Sequence, residues 1–146
     1  MYDSFLVPTD GSDGAHTALE HAIALAEPIG AVVHVITVVD SAANSFAFGV
    51  DEVDELNRAA QRIVDELIDT YDGRDVAIRG TVRRGRPLRQ ILAYADEEEI
   101  DLIVVGRTGA NGTARSLLGS TADRLIRSSS IPVTVVPSGT GAGNGR

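Results

Sequence analysis

The stretch Val32–Val39, VVHVITVV, limits what this chain can fold into more than any other segment. It is rich in β-branched residues, which favour extended backbone, and it is apolar on both faces, broken by His34. A strand with one wet face alternates polar and apolar residues. One that is apolar on both faces needs cover on both, which marks a central strand of a parallel sheet. Its surroundings agree. Ser4–Thr9 is a short apolar run that ends at Asp10-Gly11-Ser12, a strand followed by a turn, with Ser12 or Asp13 free to cap a helix. Ala15, Ala18, Leu19, Ala22, Leu25, Ala26 and Ile29 then keep a 3.6-residue rhythm closed by Gly30.

The same alternation runs on. After a polar and aromatic connection over 40–50, holding Phe46 and Phe48, a second helical stripe comprises Val53, Leu56, Ala60, Ile63, Val64, Leu67, Ile68 and Tyr71. Val76–Val82 alternates like an edge strand. Pro87 suits the first turn of a third helix carrying Leu88, Ile91, Leu92 and Ala95. Asp101–Val105 reads as a fourth strand, Gly119–Ser128 as a fourth helix, and Ile131–Val136 as a fifth strand. Strand and helix in turn predict an α/β protein with a mostly parallel sheet and right-handed crossovers. The domain is expected over 1–137, with the Gly/Ser/Thr-rich 138–146 a disordered tail.

Chemistry concentrates after the fourth strand. Gly106, Arg107 and Gly109 are followed, nine residues on, by Gly119, Ser120 and Thr121 at a helix start. Glycines at 106 and 109 permit close backbone approach to a ligand and allow φ > 0. A helix N-terminus leaves N–H groups unpaired at the positive end of the helix dipole; with a glycine and two hydroxyls it is an anion site, and phosphate is the usual anion. The spacing excludes a Walker A loop, which needs a lysine that this chain lacks, and GxGxxG does not occur. Ligands of such sheets bind beyond the carboxyl ends of the strands, where strand order reverses. Asp10 and Gly106 face one cleft if the first and fourth strands are neighbours. Ser12 and Asp13 can cap the first helix, which frees Asp10 for a ligand.

Composition narrows the partners. A net charge of −8 argues against nucleic acid and anionic membrane, and the apolar runs are strand-length rather than membrane-spanning. No secretory signal is visible and there is no cysteine, so a cytoplasmic protein without disulfides or thiolate metal sites is expected. All 13 basic residues are arginine. Adaptation to high salt and a GC-rich genome both account for that. No two histidines stand at ligand spacing beside a carboxylate, so no protein-built metal site is expected. His16 and His21 read as solvated or packed, His34 as a hydrogen-bonded core residue, Tyr71 as core, and Glu97–Glu99 as a solvated helix end.

Gly106-x2-Gly109-x9-Gly119-Ser120 resembles the signature of the universal stress proteins in their nucleotide-binding branch. The segments LVPTDGS at 6–12, HVI at 34–36, GRP at 85–87 and PVTVV at 132–136 resemble that family's strands and turns. The resemblance implies a single doubly wound, Rossmann-like domain of five parallel strands in the order 3-2-1-4-5, flanked by four helices. It also implies ATP binding, with Mg²⁺ carried on the phosphates, and a homodimer through the strand at 132–137. Pro8, Thr9 and Asp10 would line the ribose and adenine side, and the Val35 backbone would read the adenine edge. Gly106 and Gly109 would wrap the phosphates while Gly119, Ser120 and Thr121 bind the outer ones. Position 110, often basic in the family, is alanine here; Arg107 and Arg115 would supply that charge. No catalytic residue is assigned. The leading reading is a stress-response protein acting as an ATP-dependent switch or interaction module. The alternatives are a slow ATP hydrolase or autophosphorylating protein, using Ser120 or Thr121, and a dimeric interaction module that binds no nucleotide.

Overall fold

Five strands and four α-helices alternate along the computed structural model, which describes residues 2–40, 50–107 and 120–137, the side chains at 50–53 and 120 excepted. The order is β1 (Ser4–Pro8), α1 (Asp13–Ala26), β2 (Val32–Val39), α2 (Val50–Thr70), β3 (Ala77–Arg84), α3 (Pro87–Glu97), β4 (Leu102–Gly106), α4 (Ser120–Ser128) and β5 (Val133–Val136). The strands form one parallel sheet in the order β3-β2-β1-β4-β5. Strand order therefore reverses between β1 and β4.

Each face of the sheet buries its own core. Phe5, Val7, Val33, Val35 and Val104 point to the side covered by α1 and α2, which add Leu19, Ile23 and Leu67, with Tyr71 just past the end of α2. Leu6, Ile36, Ile103 and Val105 point to the other side, under Ile91, Tyr94 and Ala95 of α3 and Leu125 of α4. Fully buried side chains of this size each stabilise the fold by roughly 1.5–3 kcal/mol, and the two-faced burial of β2 is what its mostly apolar run requires. His34 is one of two polar members of that run, with Thr37. It lies 5% exposed with Nδ1 2.7 Å from the Tyr94 hydroxyl, a core residue with a partner, as the sequence suggests.

The element limits differ from the sequence reading where local geometry intervenes. α1 stops at Ala26 and a single 3₁₀ turn, Glu27–Ile29, leads to Gly30 at φ 72°. The change of winding carries Ile29 to the surface, Leu25 at the margin of the stripe is also exposed, and Ile23 is fully buried in their stead. α2 starts at Val50 rather than Val53, and Tyr71, though buried, follows the helix end. Leu56 is exposed. β3 runs two residues past Val82, because it pairs with β2 all the way to Val39↔Arg84. Phe46, Phe48 and the 138–146 tail lie outside the described residues.

The two edges of the sheet contrast in charge. β3 carries Arg79, Arg83 and Arg84, and Arg86 and Arg89 follow at the start of α3, five of the 13 basic residues. β5 is Val-Thr-Val-Val.

α2 crosses β3 at Gly80, where any Cβ would run into Val64 and, at 2.9 Å, Ile68. That glycine is a packing requirement.

Candidate functional site

The carboxyl end of β1 closes into a turn built by its own side chains. Thr9 N–H makes the last ladder bond, to Ile36 O at 2.9 Å. Thr9 Oγ1 then accepts from Gly11 N–H at 3.2 Å, and Asp10 Oδ1 accepts from Ser12 N–H at 2.9 Å. Gly11 holds φ 82°, a conformation that residues with a Cβ resist. Ser12 caps α1, its Oγ accepting from Ala15 N–H at 3.3 Å. Asp10 is therefore spared the cap. It is exposed, and its second carboxylate oxygen has no partner among the described residues.

β4 ends against that same turn. A Cβ on Gly106 would lie 2.5 Å from the Gly14 carbonyl oxygen, so the first turn of α1 sits directly on the last residue of the strand. Gly106 does not have positive φ. The close approach that demands glycine here is made by the chain itself. Arg107 follows, exposed, its N–H bonded to Val136 O at 2.9 Å. β1 and β4 are paired through Phe5↔Leu102 and Leu6↔Ile103, so the Thr9–Ser12 turn and Gly106-Arg107 stand side by side at the point of reversal.

The remaining expected site residues divide. Pro8 is half-buried at the end of β1, and Thr9 is buried. Val35 is fully buried, paired with Val7 on one side and Gly80 on the other. Thr121 is half-buried in the first turn of α4, which begins at Ser120. Gly109, Gly119, Ala110 and Arg115 lie outside the described residues, as does the Ser120 side chain. Among the described residues, no three His, Asp or Glu side chains cluster to hold a metal ion.

The partners of one polar residue, His34, and the presence of a second polar feature were not legible in the sequence. On the α3 face, burial holds His34 below the usual imidazole pKa; nearby Arg79 adds to this and Glu98 opposes it. Tyr94 beside it lies under the Arg83 guanidinium, which pairs with Glu97 at 2.6 Å. On the α2 face, Thr37 Oγ1 and Asn57 Oδ1 are buried with no hydrogen-bond partner among the described residues. The signal for Thr37 was a hydroxyl in a strand built, apart from His34, of Val and Ile.

Residues 1–137 match the model of the universal stress protein family. The chain belongs to that family. A universal stress protein of Methanocaldococcus jannaschii, MJ0531, is 34% identical over 143 residues, covering 93% of this chain and 82% of its own length. The universal stress protein YxiE of Bacillus subtilis is 29% identical, covering 93% and 99%. Among solved structures, MJ0577 of M. jannaschii superposes with a TM-score of 0.85 at 27% identity, covering 94% of this chain and 96% of that one. A universal stress protein in complex with cAMP superposes with a TM-score of 0.73 at 26% identity, covering 94% and 98%. The fold order expected of a universal stress protein, 3-2-1-4-5, is the order observed. No helix among the described residues is long and apolar enough to cross a membrane.

Proposed function

We propose that this universal stress protein binds ATP in the cleft at the carboxyl ends of β1 and β4 and acts as a nucleotide-dependent switch or interaction module. The observation that carries the reading is the junction of the Thr9–Ser12 turn, the start of α1 and Gly106-Arg107 at the point where strand order reverses. A family member solved with cAMP supports an adenine nucleotide as the ligand class. In this reading the second carboxylate oxygen of Asp10 accepts from ribose hydroxyls, and Asp10 and Asp13 keep phosphate away from α1 by charge. The phosphates then lie toward Arg107 and the start of α4, where Gly109, Gly119, Ser120 and Thr121 complete the signature and Pro8, Thr9 and Val35 back the nucleoside. Mg²⁺ would enter on the phosphates.

Isothermal titration with ATP, ADP and AMP tests this. Asp10→Ala should weaken all three about equally, by roughly 1.5–3 kcal/mol, the worth of a hydrogen bond to a charged group. Ser120→Ala should weaken ATP more than AMP. No heat with any of the three would remove the nucleotide reading, and steady-state phosphate release would move it toward a slow hydrolase.

A homodimer through β5 belongs to the same reading. β5 is an edge strand whose Val133 and Val135 are only partly buried within one chain.

A further inference from the structure

One segment of this acidic chain holds no acidic residue at all. Between Asp75 and Asp96 stand five arginines and neither Asp nor Glu, in a chain of net charge −8. That segment comprises β3, the turn after it and most of α3. β3 is also an edge of the sheet: β2 lies on one side, and among the described residues no strand lies on the other. Its pairing with β2 runs unbroken from Val32↔Ala77 to Val39↔Arg84, so no bulge bends the edge away. Gly80 has no side chain and is nonetheless exposed, so the main chain itself is open to solvent there.

The register shows which groups are open. Gly85 N–H donates to Val39 O at 2.9 Å, which turns Gly85 toward β2. Main-chain groups alternate sides along a strand, so those of Ile78, Gly80, Val82 and Arg84 turn outward. The side chains sort between the two faces of the sheet. Thr81 Oγ1 lies 3.5 Å from the Tyr94 hydroxyl and the Arg83 guanidinium 5.0 Å from that ring's centre, so Arg79, Thr81 and Arg83 share the α3 face. Ile78 packs on the core under α2, and Gly80 lies against Val64 and Ile68, which places Ile78, Gly80 and Val82 on the α2 face. Arg83 pairs with Glu97. Arg79, Arg84, Arg86 and Arg89 are exposed and make no ion pair among the described residues.

We propose that the β3 edge takes an added strand from a partner polypeptide whose residues alternate acidic and apolar. The proposal is independent of nucleotide binding. In strand addition the main chain supplies affinity and alternate side chains supply specificity. A strand laid along β3 meets the outward groups of Ile78, Gly80, Val82 and Arg84. Its side chains fall into the same two rows, acidic beside Arg79 and Arg83, apolar beside Ile78 and Val82. Nucleic acid and anionic lipid fit less well. Each spreads negative charge over a wide area, which the acidic remainder of the molecule repels. Neither carries the row of N–H and C=O groups that an open edge matches.

The test follows the fluorescence anisotropy of a labelled peptide alternating Glu and Val, as long as β3 at eight residues, titrated with the full chain. The peptide should bind, and its counterpart with Lys in place of Glu should not. Raising salt from about 0.1 M to about 1 M should weaken binding. N-methyl groups on one alternate set of peptide residues should abolish binding and on the other set leave it, since only one set turns its N–H toward β3. Arg79→Gln combined with Arg84→Gln should weaken binding about three- to tenfold, the worth of two exposed ion pairs, with the melting curve unchanged. Arg124→Gln combined with Arg127→Gln, the same change of net charge on α4, should leave binding as it is. Methylation acting alike in both sets, an oligothymidylate of equal charge binding as well as the peptide, or undiminished binding by the Arg79/Arg84 variant overturns the inference. So does the absence of binding at about 1 mM, the weak end of the affinity scale.

Discussion

At the residue scale, Gly106 shows how a motif can be recognised for one reason and constrained by another. The sequence suggests a glycine that makes room for phosphate. Within the chain it makes room for Gly14, a partner remote in sequence that no periodicity announces. Gly106→Ala should therefore destabilise the ligand-free fold, by about 1–3 kcal/mol as overpacking against backbone does. Urea denaturation checks it, and unchanged stability would mean that α1 moves away at no cost. Tyr71 offers a second residue-level test. Its hydroxyl lies 2.8 Å from His16 Nε2 and donates to Glu20 Oε2 at 3.0 Å. Burial first, then the hydrogen bond and charge of Glu20, push its pKa up to about 12, against Arg74. The fold favours the neutral phenol, so the contribution of Tyr71 is complete below pH 10 and disappears as pH rises toward 12. It amounts to about 2–3 kcal/mol at 1.36 kcal/mol per pH unit. Tyr71→Phe should flatten the alkaline limb of the stability curve; a limb as steep as wild type would assign it to other groups. His16 read simply as solvated or packed because its partner arrives from the far end of α2.

At the element scale the sequence is most legible where periodicity and burial coincide. β2 was readable because covering both faces of a strand leaves no polar alternation to misjudge. α1 was readable in its middle and not at its end, since the 3₁₀ turn that exposes Ile29 is a change of winding and not of composition. In α2, half-buried Asn57 has its Oδ1 enclosed while Leu56 is exposed; hydrophobicity alone picks the wrong neighbour. The turn after β1 was legible for a firmer reason, because Ser12 can cap and Gly11 can take positive φ. The phosphate half of the candidate site rests on the spaced glycines alone. β5 carries its own prediction. If its edge joins two copies, Val135→Asp should give monomers in light scattering at concentrations of about tens of micromolar, the affinity range of a modest interface. A wild type already monomeric there would sink the idea.

At the scale of the whole molecule, charge is the property that composition alone reveals. Twenty-one acidic residues against 13 arginines leave −8, a surplus that repels itself in dilute buffer. Raising salt from about 0.1 M to about 1 M shortens the screening length from roughly 10 Å to 3 Å, and the thermal midpoint should rise. A midpoint independent of salt would favour the codon explanation for the missing lysines over adaptation to brine.

The unlike edges of the sheet have a consequence for growth. A sheet whose two edges both accept a strand can be extended without limit, each added copy offering the next a fresh place to bind. Here one edge is apolar, and the other presents Arg79, Arg83 and Arg84, so a second β3 edge brought alongside meets its own charge. If two copies join β5 to β5, that joining uses the apolar edges up. Assembly of that kind would end at two copies, without the strand-by-strand addition that leads to fibres.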